Sequence, residues 1–566
     1  MHRPGLAWRV TSIILIVIGV LVLGYPAAFL ATHGLDPGGW PSVPGTPQVW
    51  FSPQGAALSD KASFLVQRIG RTYANMALGR SDGLPGGGRV ALAWIVGAAA
   101  AAIVIVLTSG TLVPSRHRSK RYGDAKWAGP KDLARMREGL ELGLDPVTGR
   151  TARIQVEGNL VTIAPPRSGK TSGLILPNLV LPEPDAWAGP VVVVDPKGDV
   201  VRAVRRRREA LGRRVRCIDP VGIAQGGDRW NPLLGREAGD VLYLQSMARA
   251  LLPDRVHSSD GGEFFKDRAV SVVVAALSVS IRDGRNDVVE AANLIRDPAR
   301  LRGALDGRTD AASRDAIGIL ESPDDRSRGA ILSTAAQVFS WALDERMQQV
   351  ITDHTFELGD LCAGDTDLYI VLPADNRRLI LAPFVRWLLA DLFAAVRRTR
   401  PSERIVAIID EAAVLGPFDA ILRGVGELPG YGMSLWTFWQ TRSQVIELYE
   451  RTGADTILGT AEALILFNLS RAEGDESRHW SDTIGTYTGV DPRPGRNGGP
   501  DIHDVPTAVA LVPPTELAAA TQRDSIVFLN SGRYTTDPLK LRKTQYDDPR
   551  LTGLLDGAPP VGPTRS

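Results

Sequence analysis

The stretch VTIAPPRSGKTSGLILPNLV, residues 161–180, decides how this chain reads. An apolar run meets a loop, and the loop opens a second apolar run, which gives the order strand, loop, helix. The loop nearly spells the phosphate-binding pattern G-x-x-x-x-G-K-[ST], with Ala164 in place of the first glycine. A loop of this kind holds phosphate through backbone N–H groups above a helix N-terminus. Pro165 and Pro166 have no N–H, so Arg167, Ser168, Gly169, Lys170 and Thr171 must supply the cradle. The candidate nucleotide-binding set is Pro166, Arg167, Ser168, Gly169, Lys170, Thr171 and Ser172. Lys170 would reach the β- and γ-phosphates of ATP, and the Thr171 hydroxyl would bind Mg²⁺. The first glycine serves the turn, so Ala164 is tolerable where its φ is negative. An ordinary strand-to-helix turn has the same outline, and the rest of the chain must decide between them.

The second signal is RIVAIIDEAAVLG, residues 404–416. Four apolar residues, Val406 to Ile409, precede Asp410 and Glu411. At the end of a buried strand beside a phosphate loop, Asp410 can hold the Mg²⁺ shell. Glu411 can then orient and deprotonate the attacking water. An Asp-Glu pair can equally cap a helix. The next strand pattern, LWTFWQTRSQ, ends at Gln440, which can sense the γ-phosphate or place water; alternatively Thr441 is a plain helix cap. Together these give Lys170, Glu411 and Gln440 as candidate catalytic residues, Thr171 and Asp410 as metal ligands, and ATP hydrolysis as the reaction.

Apolar runs bounded by turn residues recur at 159–165, 190–196, 214–220, 367–373, 404–411, 433–440 and 463–469. Such β-branched runs suit strands covered on both faces, and helical patterns between most of them predict an α/β domain with a parallel sheet. Between about 237 and 355 the strand signals stop and amphipathic segments such as FFKDRAVSVVVAALSVSI take over, which predicts an all-helical insertion. Residues 115–236 and 356–545 then form the two halves of the nucleotide-binding domain, and 546–566 read as a disordered tail. The Pro/Gly-rich segment 489–506 predicts a long surface loop, followed by a late strand within 523–532.

The 566 residues allow two or more domains, and the net charge of +2 favours no polyanionic partner overall. Two cysteines, Cys217 and Cys362, are too few for a disulfide scaffold. Residues 10–31 and 90–113 are charge-free and apolar, each long enough to cross a hydrocarbon core of about 30 Å. A cleaved signal peptide is the alternative for the first. Arg3 and Arg9 before the first span and SRHRSKR after the second place both termini in the cytoplasm. Residues 1–114 thus read as a two-helix anchor with an extracytoplasmic loop in the cytoplasmic membrane. The stretch VVRAVRRRREALGRRVR, residues 200–216, holds eight arginines; it could contact DNA phosphates, face solvent on a crossover helix, or touch anionic lipid.

With these elements in order, the chain resembles the type IV secretion coupling proteins, the TraG/TraD-like conjugative DNA transfer ATPases. The resemblance rests on two N-terminal spans, YGDAKWAGPKDL (122–133), APPRSGKTSG, DPKGD (195–199), RWNPLL (229–234), the helical insertion, IIDEAAVLG and FWQTRSQV. It implies a RecA-like P-loop domain with an inserted all-helical domain, a homo-hexameric ring, and a relaxase bound to single-stranded DNA as cargo for a type IV secretion channel. It also implies an arginine reaching a neighbour's nucleotide. ELPGYG (427–432) has Pro429 near that position, leaving Arg423, Arg442 and Arg471 as substitutes. An FtsK-type translocase of double-stranded DNA and a coupling ATPase exporting only protein effectors are the alternatives.

Overall fold

The computed structural model describes residues 121–181, 184–252, 260–373, 375–470, 474–494 and 502–556. Both expected membrane spans lie outside these residues.

Strand β3, Asn159–Ile163, is wholly buried and runs parallel to neighbours on both sides, β8 (Met433–Trp439) and β9 (Ala461–Leu466). Beyond β8 come β7 (Ile405–Ile409), β4 (Val191–Asp195), β6 (Thr366–Val371) and the edge strand β5 (Arg214–Ile218), all parallel. Beyond β9 the direction alternates: β12 (Asp524–Leu529), β13 (Leu539–Arg542), β1 (Leu140–Leu144) and β2 (Thr151–Ile154) pair antiparallel. The eleven-stranded sheet is therefore mixed, and the parallel sheet expected from the sequence is its seven-strand centre.

Side chains alternate between two cores. Val161, Ile163, Val192, Val194, Ala407 and Ile409 enter one; Leu160, Val191, Val193, Val406 and Ile408 enter the other. Both faces are covered, which is why these strands read as continuous apolar runs. The helices that follow the strands are α1 (Thr171–Val180), α2 (Asp199–Ala210), α10 (Arg377–Arg398), α11 (Asp419–Glu427) and α12 (Arg442–Gly459). Between β5 and β6 lie α3 (Val241–Leu251), α4 (Asp260–Arg282), α5 (Val288–Arg296), α6 (Pro298–Ala304), α7 (Ala311–Leu320), α8 (Asp325–Gln337) and α9 (Glu345–Val350). These helices share the first core with one face of the sheet. Asp240, Asp287, Asp297, Asp310, Asp324 and Asp344 each accept a backbone N–H at a helix start. Each such cap stabilises by about 1 kcal/mol.

Two expectations need correction. Segment 489–506 is not a loop throughout: β10 (Thr486–Pro494) and β11 (Ile502–Ala510) form a two-stranded antiparallel sheet. The tail is packed as far as residue 556: Leu551 is buried, and Arg550 donates to both carboxylate oxygens of Glu141 on β1 at 2.9 and 3.1 Å. Among the described residues one helix, α10, is long and apolar enough to cross a membrane, but most of it is buried in the protein core.

Candidate nucleotide-binding site

The sheet order β3–β8–β7 sets three strand ends side by side, at about 4.8 Å per strand. The phosphate loop leaves β3, Gln440 follows β8, and Asp410 and Glu411 follow β7.

Ala164 is fully buried, and its N–H donates to the Trp439 carbonyl at 2.7 Å. It is absent from the positive-φ residues, so a Cβ is accommodated where the pattern has glycine. The loop turns instead at Arg167 (φ 60°) and Gly169 (φ 81°). Arg167 takes on left-handed strain that an ordinary turn gives to glycine. The first turn of α1, Thr171–Ile175, is a π-turn, a rare form that gathers at functional sites. Gly173 is required here: a Cβ would stand 2.8 Å from the Thr544 carbonyl oxygen. Asn178 fixes α1 to β1, accepting from Glu141 N at 2.7 Å and donating to Glu141 O at 2.9 Å.

Lys170 Nζ lies 3.2 Å from Asp410 Oδ1 and donates to the Asp410 carbonyl. Thr171 donates its hydroxyl to Asp410 Oδ2 at 3.4 Å. Gln440 Nε2 donates to Glu411 Oε1 at 3.2 Å. Ser168 Oγ is buried and has no hydrogen-bond partner among the described residues, and the Ser172 hydroxyl donates to Gly169 O at 3.2 Å. Pro166, Arg167 and Gly169 are exposed at the loop rim. The five catalytic and metal-ligand candidates thus meet in two touching groups, Lys170–Thr171–Asp410 and Glu411–Gln440.

A hydroxyl and a carboxylate are hard oxygen donors of the kind that suit Mg²⁺, which otherwise keeps water and phosphate oxygens. Among the described residues no group of three or more His, Cys, Asp or Glu forms a metal cage. The donor set fits a cation that arrives with a nucleotide.

Two residues of the site carried no role in the sequence reading. Arg378, at the start of α10, places a guanidinium nitrogen 3.6 Å from Glu411 Oε1. Asp195, the first residue of DPKGD, ends β4 beside β7 and accepts N–H groups of Lys197, Val200 and Val201 at 3.1, 2.8 and 3.3 Å. Burial pushes its carboxyl up to about 7, with the charge of Asp410 adding to the push. Only the adjacency of β4 and β7 reveals the Asp195–Asp410 relation. Nothing around Arg378 in the sequence points to Glu411.

A family model described as type IV secretory system conjugative DNA transfer matches residues 148–555. The chain belongs to that family. Protein VirD4 of Rhizobium radiobacter is 23% identical over 480 residues, covering 80% of this chain and 67% of the relative. Conjugal transfer protein TraG of Escherichia coli is 27% identical over 425 residues, covering 65% of each. Among solved structures, the bacterial conjugative coupling protein TrwBdeltaN70 matches with TM-score 0.58 at 17% identity, over 77% of this chain and 98% of that one. The plasmid coupling protein TrwB in complex with ADP and Mg²⁺ matches with TM-score 0.57 at 16% identity, over 77% and 98%. The shared fold is an α/β architecture around a mixed central sheet.

In this coupling protein two of the three substitute arginines are held in ion pairs. Arg423 pairs with Asp419 on its own helix at 2.5 Å, Arg442 pairs with Asp455 at 3.5 Å, and Arg471 lies outside the described residues. The arginine-rich stretch is largely occupied within the protein. Arg208 is fully buried in a two-point pair with Asp367, at 2.7 and 3.0 Å. Arg202, Arg206, Arg213, Arg214 and Arg216 pair with Asp199, Asp556, Glu403, Asp365 and Asp228, and Arg207 donates to Val180 O. The stretch reads as a crossover helix and edge strand bound by ion pairs.

Proposed function

We propose that this coupling protein is a Mg²⁺-dependent ATPase that drives conjugative transfer of single-stranded DNA, with its relaxase, toward a type IV secretion channel. The convergence of Lys170, Thr171, Asp410, Glu411 and Gln440 on one sheet edge carries the reading. Backbone N–H groups of 167–171 and the N-terminus of α1 would cradle the phosphates, and Lys170 would exchange Asp410 for a phosphate oxygen. Thr171 and Asp410 would hold Mg²⁺, which supplies charge neutralisation as the γ-phosphoryl leaves. Glu411 would take a proton from the attacking water at a carboxylate oxygen, and Gln440, already bonded to Glu411, would link that carboxylate to the γ-phosphate position. Residues 10–31 and 90–113 would anchor the chain in the cytoplasmic membrane with the ATPase domain inside, as a homo-hexamer. Residues 237–355 would meet the cargo.

The test is steady-state ATP hydrolysis by the full chain in lipid, without DNA, with single strands and with duplex. Stimulation by single strands, lost in Lys170→Ala, is the expected result. Stimulation by duplex alone would replace the reading with a double-strand translocase. Activity indifferent to DNA but raised by a protein cargo would replace it with a protein exporter, and no hydrolysis at all would sink the motor.

A further inference from the structure

Helix α10 touches the hydrolytic edge and the helical insertion at once. Arg386, at its middle, is 4% exposed. Its Nε and one terminal nitrogen donate to the carbonyls of Ala250 and Leu251, each at 2.9 Å; its other terminal nitrogen donates to the Leu415 carbonyl at 2.7 Å. Ala250 and Leu251 are the last turn of α3, the first helix of the insertion. Carbonyls at a helix C-terminus have no partner inside the helix, and they carry its negative dipole end. Leu415 closes the 3₁₀ turn Ala412–Leu415, whose N-cap is Glu411. One planar fork therefore clamps the end of an insertion helix to the end of the turn that carries the hydrolytic carboxylate.

Two further contacts belong to the same helix. Eight residues before Arg386, Arg378 meets Glu411 itself at 3.6 Å. Five residues after it, the fully buried Asp391 pairs with Arg236, whose guanidinium lies over the Tyr243 ring of α3 at 4.7 Å. Phe384, Trp387, Leu388 and Leu389 are also buried, so α10 is gripped from about Leu381 onward, while Leu379 and Ile380 in its first turn are exposed.

We propose that Arg386 is a positioning residue that couples Glu411 to the helical insertion. Displacement of α3 shifts the turn 411–415 and the aim of Glu411, and a nucleotide at the phosphate loop shifts the end of α3 in return, because coupling between sites is reciprocal. The inference rests on Glu411 being the hydrolytic base of the proposed ATPase.

The test is amide hydrogen exchange of the full chain in lipid, with and without MgATPγS, alongside Arg386→Met and Arg386→Lys. In the wild type, nucleotide alters exchange at residues 168–176, at 412–416 and also at 245–252. In both variants the change at 168–176 persists, the change at 245–252 is lost, and the analogue binds within about threefold of wild type. kcat falls by about tenfold or more with KM little altered, as expected when a distant change misplaces a general base. Lysine keeps the charge and can donate to one segment, so it separates loss of the clamp from loss of a buried cation. Binding without any response at 245–252 in the wild type overturns the inference alone. So does an undiminished response in the variants, or failure of both variants to fold, which would make Arg386 a core residue only. Failure of the wild type to bind the analogue removes the nucleotide site itself, and the inference with it.

Discussion

Lys170 Nζ and Asp410 Oδ1 stand 3.2 Å apart although they leave strands that are not neighbours, with β8 between them. Lys170 and Asp410 pair with each other in a largely buried setting, and in the proposed site a Mg-triphosphate would offer both a new partner at once. Lys170→Ala removes the phosphate contact and strips Asp410 of its counter-charge. Nucleotide affinity is expected to fall by at least about tenfold and hydrolysis by about a hundredfold or more, the scale of losing one charge-stabilising donor. Titration with a fluorescent ATP analogue and steady-state turnover read the two effects separately.

Glu411→Gln and Gln440→Ala should divide differently. The first removes a base and keeps a hydrogen-bonding side chain of the same shape, so binding stays near wild type while kcat falls by about 10²–10⁴. The second frees Glu411 Oε1 of one donor and leaves Arg378 in place, so the loss of kcat is smaller. Equal losses in both variants would show that Gln440 does more than hold Glu411.

The Arg208–Asp367 pair predicts a stability effect without a nucleic-acid effect. Both side chains are fully buried, so Arg208→Met strands a carboxylate and should cost about 3–5 kcal/mol. The double variant Arg208→Met, Asp367→Leu should recover much of that cost, because a well-packed apolar pair avoids desolvation altogether. Denaturation midpoints of the three proteins decide it. Weaker single-strand binding in the double variant at restored stability would return this stretch to the DNA-contact reading.

Asp195 gives a pH signature. Its carboxyl sits near 7 in the folded chain against 3.8 ordinarily, raised by burial and by Asp410. Below roughly pH 4 folded and unfolded states both hold the proton. From there to about 7 the folded state keeps a proton the unfolded chain has released, so stability falls as pH rises, and above about 7 the difference is constant. Asp195→Asn removes the ionisation and should gain on the wild type over that window, by up to about 1.4 kcal/mol per pH unit. Urea midpoints at a series of pH values measure the gain. A constant difference would mean that the three N–H donors keep the ionised form.

Sequence reached the centre of the sheet and stopped at its margins for physical reasons. β3, β4 and β7 are buried on both faces, so their apolar runs and the polar residues that end them stand out. β1 and β2 are short and carry Glu141 and Arg153, which pair with each other at 3.5 Å and are nearly buried. Glu141 is also met by Thr544 and Arg550, far along the chain. β10 and β11 contain Pro492, Pro494 and Pro506, which signal a loop; in a two-stranded sheet every strand is an edge and proline is tolerated. The phosphate loop was legible down to single residues because its chemistry is local in sequence. Arg378 and Arg386 were not, because their partners lie more than thirty residues away, or just under that at Leu415.

The insertion leaves the chain after β5 and returns before β6, and those strands are hydrogen-bonded parallel neighbours in register from Arg214–Thr366 to Ile218–Ile370. An ordinary crossover would join such a pair with a single helix. Among the described residues seven α-helices occupy that slot without displacing any strand. The helical insertion, proposed above to meet the cargo, is thus an overgrown connection at the rim of the sheet, and its helices can change while the strands beside them keep their places. Under the proposed coupling, such a change would keep its link to hydrolysis only where the incoming first helix ends with its carbonyls against α10.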